Sequence, residues 1–223
     1  MRFVRCLLLV LILSATSVVL GQDGSKLIED IMFQEFDKAK TLVKNGVNVN
    51  YQDESSGSTA LMLACQYNFV DMAKFLIEHK ADVNLQAKNG QSALMVSART
   101  SEELFQLLLS KGADITMKAN DGTTALTQAC AGIISKKVSL AVVQTLLDKG
   151  ANVNEAPVSG HAEGYTCLMM AARNHQPELV KLLINKGADI NKKAKDGNTA
   201  ISLARKENDL DMVKLLKSLG AKE

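Results

Sequence analysis

The chain has 223 residues, 47% of them hydrophobic but only 4% aromatic, and Trp is absent, so its core has to be aliphatic. Its formal charge is +2, and removing Arg2 and Arg5 with the leader described next leaves 26 − 2 = 24 basic against 24 acidic residues. That balance argues against a nucleic-acid partner, which calls for a basic excess on one face.

Residues 1–21 read as a signal peptide. Arg2 and Arg5 precede the apolar run Cys6–Leu13. The smaller, weakly polar stretch Ser14–Gly21 follows, with Val19 and Gly21 suited to cleavage before Gln22. The apolar run is shorter than the ~20 residues a membrane span needs. The expected product is exported, periplasmic or secreted, with no membrane contact after cleavage. Residues 22–25 form a short linker. Cys65, Cys130 and Cys167 remain, an odd number at spacings that match no metal motif. They read as small buried thiols in place of Ala. A disulfide between neighbouring inner helices needs Cα atoms within ~7 Å.

Residues 26–50 form an N-terminal cap, with helices expected over Leu27–Phe33 and Phe36–Lys44. Two signals then recur in phase. A short-helix start appears as Thr59-Ala60-Leu61, Ser92-Ala93-Leu94, Thr124-Ala125-Leu126, Thr166-Cys167-Leu168 and Thr199-Ala200-Ile201, at intervals of 33, 32, 42 and 33 residues. A stop appears as Lys80-Ala81-Asp82, Lys111-Gly112-Ala113-Asp114, Lys149-Gly150-Ala151-Asn152, Lys186-Gly187-Ala188-Asp189 and Leu219-Gly220-Ala221. These divide the chain into repeats at about 51–84, 85–116, 117–154 and 155–191 and a C-terminal cap at 192–223.

Each part of the unit has a physical cause. Thr or Ser caps the first helix by accepting a hydrogen bond from an unpaired N–H. In the second helix, apolar residues recur at helical spacing, as in Val70, Ala73, Leu76 and Ile77, Leu140, Val143, Leu146 and Leu147, and Leu210, Val213 and Leu216. The stop Gly adopts the left-handed conformation that ends a helix, and the Asp or Asn two residues later begins a turn. One unit cannot bury its own stripe, so units stack.

The ~33-residue period, the T-A-L-x-x-A start and the G-A-D-I-N ending resemble ankyrin repeats over about Lys26–Glu223. The resemblance implies an all-α ankyrin-repeat solenoid of helix-turn-helix units with hairpin-like connecting loops. The family's T-P-L-H reads T-A-L-M at Thr59–Met62, S-A-L-M at Ser92–Met95 and T-C-L-M at Thr166–Met169. The hydrogen-bonding His is thus replaced by Met, which fills space by packing.

Two insertions break the regularity, one inside the third repeat and one in the connection that follows it. Thr124 to Gly150 spans 26 residues against 20 or 21 elsewhere, with the extra residues expected in a helix–helix loop over Ala131–Ser139. Gly150 to Thr166 spans 16 residues against 12, which lengthens the finger loop 155–164. Long loops carry function or record tolerated drift, and both readings stay open.

No Ser/His/Asp group, paired His or phosphate loop accompanies His79, His161 and His175. The resemblance instead implies partner binding at finger tips and the concave side of the first helices. Those positions are Tyr51, Asp53, Gln66 and Tyr67 in the first repeat, and Gln86, Lys88, Gln91, Arg99 and Thr100 in the second. In the third they are Lys118, Asn120 and Thr123, and in the fourth His161, Glu163, Tyr165, Arg173 and Asn174. Tyr and Arg make the strongest anchors, because they bury a large area and keep a polar handle. The expected function is a monomeric, non-catalytic module that binds a protein partner, with no cofactor or metal. The leader beside the repeats looks more like a bacterial exported protein than a eukaryotic cytosolic adaptor. The alternatives are a small exported enzyme or redox protein using Cys130 or His161, and a dedicated inhibitor or immunity-type protein.

Overall fold

The computed structural model describes residues 24–160 and 163–222, so the signal-peptide reading of residues 1–21 lies outside the described residues. Helix α1 covers residues 24–32, slightly ahead of the expected Leu27–Phe33. The others are α2 (Phe36–Lys44), α3 (Ala60–Gln66), α4 (Val70–Glu78), α5 (Ala93–Thr100), α6 (Glu102–Ser110), α7 (Ala125–Ile134), α8 (Leu140–Asp148), α9 (Cys167–Arg173), α10 (Pro177–Asn185), α11 (Ala200–Lys206) and α12 (Leu210–Ser218). Successive inner helices α3, α5, α7, α9 and α11 pack on one another, and each packs on the outer helix that follows it. This is the all-α solenoid expected. Among the described residues, no helix is long and apolar enough to cross a membrane.

The phased motifs do the work their chemistry suggests. Hydroxyls of Thr59, Ser92, Thr124, Thr166 and Thr199 accept hydrogen bonds from the N–H groups of Met62, Met95, Thr127, Met169 and Ser202 at 3.2–3.4 Å. Where the third position is Thr127 or Ser202, its hydroxyl accepts in return from the cap's own N–H, at 2.9 Å in both cases. Met62, Met95 and Met169 are buried, so packing occupies the place of the family's His. Gly112 and Gly187 end their helices at φ +83° and +86°, and Lys80 holds the same conformation at +69° without the glycine.

Asn side chains link the units at their outer edge. Asn50 donates to the Lys80 carbonyl (3.2 Å) and accepts from Asp82 N–H (2.7 Å). Asn84 makes the same pair with Gly112 and Asp114, and Asn154 with Gly187 and Asp189. Thr116 occupies this place in the second repeat and turns its hydroxyl back onto Asp114 at 2.7 Å. A cavity of about 160 Å³ lies there, lined by Thr116, Leu126, Gly150 and Asn152 among others. In the first three fingers, antiparallel bridges pair Gln52 with Thr59, Gln86 with Ser92 and Lys118 with Thr124.

Two expectations need correction. The outer-helix stripe falls differently: Met72, Ala73 and Leu76, then Val142, Val143 and Leu146, then Met212 and Leu216 are buried, whereas Leu210 is 70% exposed. The first helical residue sits at the rim of each outer helix. The insertion in the third repeat is also not only a loop. Inner helix α7 absorbs part of it, with 10 residues against seven or eight in the others. Gly132 allows this, because a Cβ there would stand 3.0 Å from the Arg99 backbone and 2.7 Å from Val138 Cγ2.

Candidate protein-interaction surface

The inner helices of the first two repeats end in side chains with unspent polar groups. Gln66, Tyr67 and Arg99 are exposed, and their polar ends meet no partner within the described residues. Tyr67 is 49% exposed and stacks on Phe69 with ring centroids 5.7 Å apart, and Phe69 meets Phe36 edge-on at 5.0 Å. This row holds the Tyr67 ring in place without consuming its hydroxyl. Next to Arg99, the extended α7 leads into exposed Lys136 and Lys137. Sequence reasoning passed these over, and the signal for them was the basic pair inside the insertion.

The finger residues are largely committed to the fold. One Asp53 carboxylate oxygen accepts from the N–H and hydroxyl of both Ser55 and Ser56. The Ser55 hydroxyl, with the Ser56 N–H next, holds that carboxyl down at about 2. Gln86 donates to the Gly90 and Lys118 carbonyls. Lys88 donates to the Glu54 carbonyl, and Asn120 to that of Lys88 at 2.8 Å. Lys118 pairs with Glu155 at 2.8 Å. The Thr100 hydroxyl lies 2.9 Å from the Val96 carbonyl and 3.0 Å from that of Cys65. Tyr51 and Gln91 are half-buried. Thr123 is buried, a correction to its place on the expected surface: the hairpin turns it inward, and its N–H donates to Asp121 at 2.9 Å.

The fourth repeat is tied to the C-terminal cap. The Tyr165 hydroxyl donates to Asp196 at 2.7 Å and accepts from Asn198 at 3.0 Å. The bond to Asp196 raises the phenol's pKa. Arg173 meets Glu207 at 3.3 Å, His175 Nδ1 lies 2.6 Å from Asp209, and Glu163 meets Lys195 at 2.8 Å. The Asp209 carboxyl is held below its usual range, first by the Met212 N–H and then by His175. Asn174 donates to its own helix at Met170 (2.8 Å). His161 lies outside the described residues. Cys130 is wholly buried, and burial pushes its thiol up, away from the low-pKa, accessible state of reactive thiols.

A stack of capped helix pairs, with the ends of its inner helices presented at one face, defines a repeat solenoid. The chain belongs to the ankyrin-repeat family: it matches the family described as Ankyrin repeats (3 copies) over residues 27–119, 88–157 and 135–223. It is 30% identical over 194 residues to the ankyrin repeat protein YahD of Escherichia coli (strain K12), covering 84% of this chain and 92% of that one. It is 32% identical over 135 residues to human Ankyrin repeat and SOCS box protein 6, covering 59% of this chain and 32% of the relative. Against zebrafish (Danio rerio) Neurogenic locus notch homolog protein 1 it is 28% identical over 149 residues, covering 66% of this chain and only 6% of the relative's length. Ankyrin repeats are generally protein–protein interaction modules.

Proposed function

We propose that the chain is an exported, non-catalytic ankyrin-repeat protein that holds a protein partner on the first two repeats, with Tyr67 and Arg99 as anchors. The observation that carries this reading is the row Gln66, Tyr67 and Arg99, exposed and without internal polar partners. Tyr and Arg dominate binding hot spots because they bury area and keep donors. The aromatic row behind Tyr67 lowers the cost of ordering that side chain on binding. Export rests on the pattern of residues 1–21.

Affinity capture from the native exported fraction tests the binding reading. The purified chain is expected to retain a partner that a Gln66→Ala/Tyr67→Ala/Arg99→Ala triple variant does not. Equal retention by both would refute the surface. Export is read separately, from the N-terminus of the native protein: a start at Gln22 supports it, and a retained Met1–Gly21 segment overturns it.

A further inference from the structure

The three thiols among the described residues differ in their neighbours. Cys65 and Cys130 occupy one place in their units, six residues after the caps Thr59 and Thr124, and Ala98 and Ala172 hold it in the second and fourth repeats. Cys167 is the first residue of α9, a place held elsewhere by Ala60, Ala93, Ala125 and Ala200. Inner helices α7 and α9 are neighbours. Cys167 Sγ lies 3.6 Å from the Leu126 carbonyl, one helical turn before Cys130. Helical side chains lean toward the N-terminus, so the Cys130 side chain reaches back toward that carbonyl. Cys167 is near enough to Cys130 to add to burial in pushing that thiol up. By the repeat register, Cys65 meets Ala93 instead, and Ala98 meets Ala125.

We propose that Cys130 and Cys167 form a disulfide site that staples the third repeat to the fourth when the chain folds under oxidising conditions. One insertion lies inside the third repeat and the other in the finger that leads from it into the fourth, so the staple spans the least regular joint of the array. A low-molecular-weight disulfide serves as oxidant. One cysteine thiolate attacks a sulfur of that disulfide, forming a mixed disulfide and releasing one small thiol. The second cysteine then attacks the protein-bound sulfur, forming the Cys130–Cys167 bond and releasing the second small thiol. Two protein thiols are oxidised, one small disulfide is reduced, and both protons leave on the small thiols. Burial shuts both sulfurs off in the folded state, so exchange takes place during folding or local opening, and the finished bond is shielded from reductant. The closed loop is long, 167 − 130 = 37 residues, which favours a large restriction of the unfolded chain. Use of the site in the cell rests on the export reading, whereas the pairing itself does not.

The full chain is unfolded, then refolded with reduced and oxidised glutathione, alkylated and mapped by peptide mass. The expected result is one linkage, Cys130 to Cys167, with Cys65 alkylated only after denaturation, and a urea midpoint above that of the reduced chain. Cys130→Ala and Cys167→Ala place the residue found at equivalent positions of other repeats, so both fold, and both lose the increase. Cys65→Ala keeps it. No linkage, a comparable yield of linkages through Cys65, or a lowered midpoint would overturn the proposal. A correct linkage in vitro with free thiols in protein taken from cells would leave the pairing standing and count against export alone.

Discussion

At the ends of α3 and α5, Gln66, Tyr67 and Arg99 project with their polar groups unspent, whereas at the start and end of α9 Tyr165 and Arg173 are held by Asp196 and Glu207. Gln66, Arg99 and Arg173 hold one position, seven residues after their caps, and serve different ends along the array. In the fourth repeat they meet the next unit, and in the first two their polar groups meet no partner among the described residues. Sequence alone marks all of them as exposed ankyrin positions. Only the presence of an acidic partner about one repeat further on separates the two groups.

The largest effect that could break this comparison is on binding. Tyr67→Ala/Arg99→Ala is expected to weaken partner affinity by about 2 kcal/mol or more, roughly 30-fold, in a calorimetric titration. Its stability should fall by much less, about the 0.5–1 kcal/mol that the lost Tyr67–Phe69 stack is worth. Next in size is Gly132→Val, which presses on the Arg99 backbone and on Val138. A loss of about 2–3 kcal/mol in urea unfolding is expected, and a neutral result would show that α7 does not hold Arg99 in place.

Smaller effects sharpen the tied half. Tyr165→Phe removes the hydroxyl's bonds to Asp196 and Asn198. It should cost about 1 kcal/mol of stability and leave affinity unchanged. Thr116→Asn should extend the Asn linkage across the joint of the second and third repeats, with a gain of about 0.5–1 kcal/mol in the same assay. The smallest effect concerns acid. Asp53 is held at about 2 against an ordinary value of 3.8. Its contribution is thus complete above the ordinary value and is lost as pH falls through about 2. Asp53→Asn should flatten the pH dependence of the urea midpoint in that window.

The fold was legible because its signals are local. A Thr cap lies three residues from the N–H it serves, and a stop Gly acts on its own helix, so one unit contains all the information. The candidate surface was legible only in outline. Asn84 and Asp114 are 30 residues apart and Tyr165 and Asp196 are 31 apart, so nothing within one unit shows that these side chains are spent. The resemblance places Thr123 among the finger positions, but hairpin register turns it inward. The extended α7 was hidden because Ala131–Ser139 reads as a helix–helix loop, and the packing of Gly132 on Arg99 that lets the helix run on to Ile134 lies between units.

The most direct test sets the two groups side by side in one titration against the captured partner. Tyr67→Ala/Arg99→Ala should lose affinity far more than stability, while Tyr165→Phe/Arg173→Ala should keep affinity and lose midpoint. The reverse pattern, or equal loss of affinity in both variants, would contradict the division of the array into a binding half and a tied half.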